Sequence, residues 1–382
     1  TISNGKGNDS VWGGSGDDTI TSTAGTDTIY AGSGDNTIDV SSINSKISAG
    51  SGDDTVSVLA GFGSSFDLGE GDNVLIADVA VGQVTTGSGD DVIKLSGGQS
   101  DIRLYFNEES MNGRYEWSNL ELSGSSEVKA GSGDDIITLT GILEIETSIW
   151  SHDVGDGTEE EWSYSYGNGY GYGQIYGEDG NDTIDASDTT AVRLLSAGAG
   201  DDIIYGAQKY TQQINGGDGD DIIQASKEQN YHHSSISGEA GNDTITSKTT
   251  LGIGNITISG GKDDDIINAG NGNYTIFGGE DDDIINAGNG DNDIYGDNGI
   301  TKGNVDDWYW NYHGKSQYEQ GGNDTITSGS GNDIIKGGYG DDIINAGDGA
   351  NSIYGGDGND SLAGGSGVDL IEGGEGNDIF QG

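Results

Sequence analysis

The sequence has no cysteine and no proline. The first absence removes disulfides, zinc–thiolate sites, iron–sulfur clusters and cysteine nucleophiles. The second rules out collagen and proline-rich linkers. Only 14 residues are Lys or Arg against 66 Asp or Glu, a formal net charge of −52. A phosphate backbone would be repelled, so nucleic acid is not expected as a partner. No apolar run approaches the roughly 18 residues that would cross a bilayer as a helix, so no transmembrane segment is expected. Apolar residues make up 31% of the chain, a fraction that on its own resembles a disordered polymer.

What is abundant is glycine, 73 of 382 residues, and it is not scattered. From Gly337 the chain reads GGYGDDIIN, AGDGANSIY, GGDGNDSLA, GGSGVDLIE, GGEGNDIFQ. In each block position 1 is Gly or Ala, positions 2 and 4 are Gly, position 6 is usually Asp, and position 8 is apolar (Ile344, Ile353, Leu362, Ile371, Phe380). A fixed short period of this kind predicts a solenoid. Glycine at positions 2 and 4 opens backbone angles closed to other residues, which suits tight turns. Positions 7 to 9 read as a short strand whose central side chain points inward. Two strands and two turns make a coil of eighteen residues, and coils stack by parallel pairing about 4.8 Å apart. The start of the chain alternates glycine–aspartate blocks with blocks that lose that pattern but keep a buried apolar residue (Ile29, Ile47, Phe66, Val84), so the two edges of the coil are not equivalent.

On the first edge, position 6 runs Asp18, Asn36, Asp54, Asn73, Asp91, Asp135, Asp182, Asp202, Asp221, Asp243, Asp265, Asp283, Asp324, Asp342, Asp360, Asp378. On the second edge it is Asp9 and Asp27, then largely lost, with Tyr274 once, and recovered at Asn292, Asp333, Asn351 and Asp369. At about 4.8 Å in water, neighbouring charges repel by roughly 0.9 kcal/mol, and more when desolvated. A hard divalent cation removes that repulsion: calcium takes six to eight oxygens, from carboxylates and from carbonyls of the kind that glycine turns expose. The expectation is calcium between successive turns of an edge, held by the position 6 aspartates, with Asn36, Asn73, Asn292 and Asn351 as weaker ligands. Asp17, Asp53, Asp90, Asp134 and Asp201 at position 5 are left open between solvent and backbone-only contributions. No metal is expected at SSINSKISA or DVAVGQVTT.

The blocks GGSGDDTIT at Gly13, GGDGDDIIQ at Gly216 and GGDGNDSLA at Gly355 resemble the RTX (repeats-in-toxin) nonapeptide G-G-x-G-x-D-x-U-x. The resemblance implies an all-β, right-handed parallel β-roll with calcium in the turns, exported in one step and folded outside the cell, at the cell surface or in the extracellular space. Proteins of this kind include toxins, proteases, lipases, epimerases, adhesins and surface-layer proteins. Asp263 and Asp281 depart from the pattern by replacing the second glycine, in turns that Asp tolerates better than most residues.

Surplus residues interrupt the period at about 99–127, 141–174 and 297–320, the first two in second-edge loops and the third on the first edge. They concentrate the tryptophans: Trp117, Trp150, Trp162, Trp308 and Trp310. Three roles stay open for them: covering the thin roll, contact with another copy of the chain, or a platform for cell-surface glycans. There is no H-E-x-x-H and no G-x-S-x-G, so no catalysis is expected. No signal peptide is visible and the chain starts in mid-repeat, so it is expected to be part of a longer protein. The sequence as a whole predicts one solenoid over residues 1–382: a calcium-rigidified unit of a surface layer, adhesin stalk or extracellular filament. The alternatives are a C-terminal secretion and folding module of a larger enzyme or toxin, or a calcium-dependent glycan-binding adhesin.

Overall fold

A computed structural model describes residues 1–58, 64–77, 82–96, 126–132, 136–141, 150–153, 159–162, 173–189, 191–207, 210–225, 234–247, 256–297 and 321–381. Among them there is no helix. The chain winds as a parallel β-solenoid, each coil giving one strand to a 17-stranded sheet and one to a 16-stranded sheet. The first sheet begins with Ile2–Lys6, Thr19–Ala24 and Thr37–Val40, and the second with Ser10–Ser15, Thr28–Ser33 and Lys46–Ser51. A separate antiparallel pair joins Trp150–Asp153 to Glu159–Trp162.

Position 8 sets the register. Ile20 pairs with Ile38, Ile38 with Val56, and Val56 with Leu75 in the first sheet. In the second, Val11 pairs with Ile29, Ile29 with Ile47, and Ile47 with Phe66. A one-residue slip would turn this whole column to solvent, so burial itself enforces the register. Ile20, Ile38, Ile204, Ile245, Ile285 and Ile326 are all fully buried, and each such side chain stabilises the roll by about 1.5–3 kcal/mol. Position 1 also points inward, two residues on from position 8, and adds Ala31, Val40, Ala49, Val58, Leu68 and Ala197 to the core. Phe380, in the last described coil, has a neighbouring coil on one side only and is 55% exposed.

The turns are stitched through backbone groups. The Gly16 N–H donates to the Ser33 carbonyl (2.7 Å), the Gly34 N–H to that of Ser51 (2.8 Å), and the Thr37 N–H to that of Asp18 (2.8 Å). Glycine is needed here twice over. Gly32 has φ of 112°, and a Cβ on it would lie 1.9 Å from the Gly14 carbonyl oxygen of the preceding coil. Asp263 and Asp281 keep the turn with φ of 71° and 72°. Glu178 and Glu239 stand at position 2 with φ of 87° and 88°, positions whose strain the sequence pattern did not flag.

The chain leaves the first sheet at Ser96 and enters the second at Ser126; it does so again between Gly141 and Gly173. These crossings lie on the second edge. Between Asp297 and Thr325 it passes from the second sheet to the first, on the first edge.

Candidate metal centres in the turns

The position 6 side chains form a hydrogen-bonded column along the first edge. Each carboxylate or amide Oδ1 accepts the backbone N–H of position 6 in the preceding coil. The Asp221 N–H donates to Asp243 Oδ1 (2.8 Å), that of Asp243 to Asp265 (2.8 Å), that of Asp265 to Asp283 (2.9 Å) and that of Asp283 to Asp324 (2.9 Å). The column continues through Asp342, Asp360 and Asp378. It also runs Asp18, Asn36, Asp54, Asn73, Asp91 and, further on, Asp182 to Asp202 to Asp221. On the second edge Asp9 donates to Asp27, Asn292 to Asp333, Asp333 to Asn351 and Asn351 to Asp369. Asp135 lies outside the described residues.

One oxygen of each carboxylate is thereby accounted for. The other is not: Oδ2 of Asp54, Asp202, Asp221, Asp243, Asp265, Asp283, Asp324, Asp342 and Asp360 is buried with no hydrogen-bond partner. A buried polar atom without a partner costs about 1–3 kcal/mol, and more when charged. The fold makes room for these oxygens at position 1. A Cβ on Gly238 would lie 1.9 Å from Asp243 Oδ2, one on Gly260 2.1 Å from Asp265 Oδ2, and one on Gly337 1.9 Å from Asp342 Oδ2.

Burial dominates the acidity of these groups. It pushes Asp202, Asp221, Asp243, Asp265 and Asp324 up to about 7, and Asp283 and Asp342 up to about 9, against the hydrogen bond from the preceding coil and with further upward pressure from neighbouring aspartates. Asp54, Asp91, Asp333 and Asp360 are also raised by burial. Among the described residues the leading charges acting on them are other aspartates. Such oxygens need a proton or a cation. The donor set is all oxygen, carboxylate plus turn carbonyl, which fits a hard ion such as calcium. No three His, Cys, Asp or Glu side chains converge into a metal cluster among the described residues. A centre here would therefore draw its carboxylates one per turn.

Position 5 holds a second column, which the sequence pattern did not resolve. Its side chains are exposed, yet they accept from the following coil, in the opposite sense to position 6. The Asp35 N–H donates to Asp17 Oδ1, that of Asp53 to Asp35, and that of Asp220 to Asp201, each at 3.0 Å. Asp297 was likewise unforeseen. Buried at the end of the strand Asp293–Asp297, it accepts the Gly322 N–H (3.1 Å) and the Tyr339 N–H, tying together the coils that flank residues 298–320. Its sequence signal was an aspartate where the repeat has its first turn glycine. Of the expected partner-binding tryptophans, Trp150 and Trp162 are register partners in the antiparallel pair. Trp117, Trp308 and Trp310 lie outside the described residues. Trp12, which lies outside the surplus segments, is 67% exposed and stacks on Tyr30 of the next coil at 6.0 Å.

A parallel solenoid whose turns stack buried carboxylates on glycine-exposed carbonyls defines a class of cation-binding repeat proteins. The profile described as RTX calcium-binding nonapeptide repeat (4 copies) matches residues 3–38, 30–63, 174–188, 194–208, 212–227, 234–247, 252–276, 275–301, 320–353 and 346–380. These segments cover more than half of the chain, which belongs to that family, whose repeats bind calcium. No curated protein matches the chain.

Proposed function

We propose that the chain is a secreted calcium-binding structural protein, a single roll that calcium stiffens into a unit of a cell-surface layer, adhesin stalk or extracellular filament. The ions would be held by Asp18, Asp54, Asp91, Asp135, Asp182, Asp202, Asp221, Asp243, Asp265, Asp283, Asp324, Asp342, Asp360 and Asp378 on one edge, and by Asp9, Asp27, Asp333 and Asp369 on the other. The observation that carries this is the row of buried, unpartnered Oδ2 atoms. Calcium supplies the charge and coordination that the protein's own donors withhold, so binding and folding are coupled. No catalytic role is assigned. No helix among the described residues is long and apolar enough to cross a membrane.

The test is circular dichroism of the chain in chelator and after calcium is restored, followed by electron microscopy. Strand signal that falls with the chelator and returns with calcium, together with ordered lattices or fibres, is the expected result. An unchanged signal would contradict the metal's role, and isolated rods would favour a folding module of a larger protein. A glycan-binding role draws support from the exposed Trp12–Tyr30 stack, a flat aromatic surface of the kind sugar rings pack on.

A further inference from the structure

The turns close in more than one way, and the pair of residues at positions 1 and 6 decides which. On the first edge every glycine at position 1 accompanies an aspartate at position 6, as in Gly238 with Asp243. All four asparagines instead accompany a residue with a Cβ: Ala31 with Asn36, Leu68 with Asn73, Ala287 with Asn292, Ala346 with Asn351.

The amide's orientation is not arbitrary. Oδ1 must accept the N–H of the preceding coil, as Asn36 does from Asp18 at 3.0 Å, so the NH2 group takes the other branch. That group donates into the turn's own carbonyls: Asn36 to Gly34 (2.8 Å), Asn73 to Gly71 (2.7 Å) and Gly69 (3.2 Å), Asn292 to Gly290 (3.0 Å). The Asn351 NH2 donates to the Gly364 carbonyl of the next coil (3.2 Å). These are the turn carbonyls that an aspartate would share with a cation. A donor N–H pointed at them excludes the cation by both charge and space.

The first edge of residues 28–96 alternates accordingly: Asp54 stands between Asn36 and Asn73, its Oδ1 accepting the Asn36 backbone N–H (2.7 Å) and its own N–H donating to Asn73 Oδ1 (3.0 Å). On the second edge of the same coils hydroxyls replace carboxylates: the Asp27 N–H donates to Ser45 Oγ (2.8 Å) and the Ser45 N–H to Ser64 Oγ (3.0 Å). Position 1 there is apolar and buried, at Val40, Val58 and Ala77.

We infer that the asparagine turns take no calcium, their own amide standing where the ion would be, and that residues 28–96, where calcium is left to Asp54 and Asp91 alone, form a stem that depends on calcium far less than the rest of the roll. This rests on the calcium role proposed above for the aspartate turns, and it replaces weak amide ligation with none.

Hydrogen–deuterium exchange of the full chain, with calcium and with chelator, separates the two claims. After chelation, peptides from 28–58 and 64–96 are expected to keep protection within about tenfold of the calcium-loaded value, while those from 234–247 and 256–297 lose about a hundredfold or more. Equal loss in both sets overturns the stem and leaves the calcium role standing. No loss anywhere overturns the calcium role, and the stem's distinction with it. Independently, native mass spectrometry of Ala31→Gly/Asn36→Asp should count about one or two more calcium ions than the parent chain. An unchanged count overturns the assignment of Asn36.

Discussion

The coils of 28–96 and those of 234–297 share a backbone but balance it differently. In the first, Leu68, Val40 and Val58 fill position 1, and amides or hydroxyls complete alternate turns. In the second, Gly238, Gly260 and Gly278 leave position 1 bare, and Asp243, Asp265 and Asp283 follow one another without interruption. The apolar contribution of position 1 has been exchanged for oxygens that burial holds up to about 7 or 9. One register thus accommodates a turn that is complete by itself and a turn that is complete only with a charge from outside.

The largest difference between the regions should come from pH in the absence of calcium. Carboxylates raised in the folded chain favour it when protonated. Their contribution is fully present below about pH 4, the unfolded value, and is lost as pH rises through about 7 for Asp243 and Asp265 and about 9 for Asp283. The chelated chain should therefore regain strand signal by circular dichroism on acidification from about pH 9 to about pH 4, with the recovered exchange protection lying mainly outside 28–96. A flat profile, or equal recovery in both regions, would break the contrast. With calcium present, protons compete for the same oxygens, and the calcium midpoint should rise as pH falls.

Asp243→Ala comes next. It removes one carboxylate from the column and leaves the Asp221 N–H without its acceptor. Each ion lost at a hundredfold excess of calcium over Kd should lower stability by about 2.7 kcal/mol, and the unpaired N–H adds about 1–3 kcal/mol. Thermal melts with and without calcium check this, the first penalty vanishing in chelator. Gly238→Ala should be milder, about 1–3 kcal/mol for displacing Asp243 Oδ2 from a Cβ 1.9 Å away. It should also weaken calcium binding in a titration, whereas Ala49→Gly beside Asp54 should not.

The period of nine made the sheets, their register and the buried column of Ile20, Ile38 and Val56 legible, because alternation and glycine spacing are one-dimensional signals. Position 6 stood out for the same reason. The meaning of Asn36 was not legible: asparagine and aspartate differ by one donor, and only the neighbouring coil shows which branch carries it. Position 5 was ambiguous because an exposed aspartate gives the same pattern whether or not it binds the next coil, as Asp17 binds Asp35. Asp297 was hidden because its partners Gly322 and Tyr339 lie across the surplus residues, 25 and 42 positions away.

Anomalous X-ray scattering from crystals grown with calcium tests the central claim most directly. The expected map has peaks beside Asp221, Asp243 and Asp265 Oδ2 and none beside the amides of Asn36 and Asn73. Bare aspartate turns in an ordered roll, at a calcium concentration that saturates folding, would contradict it.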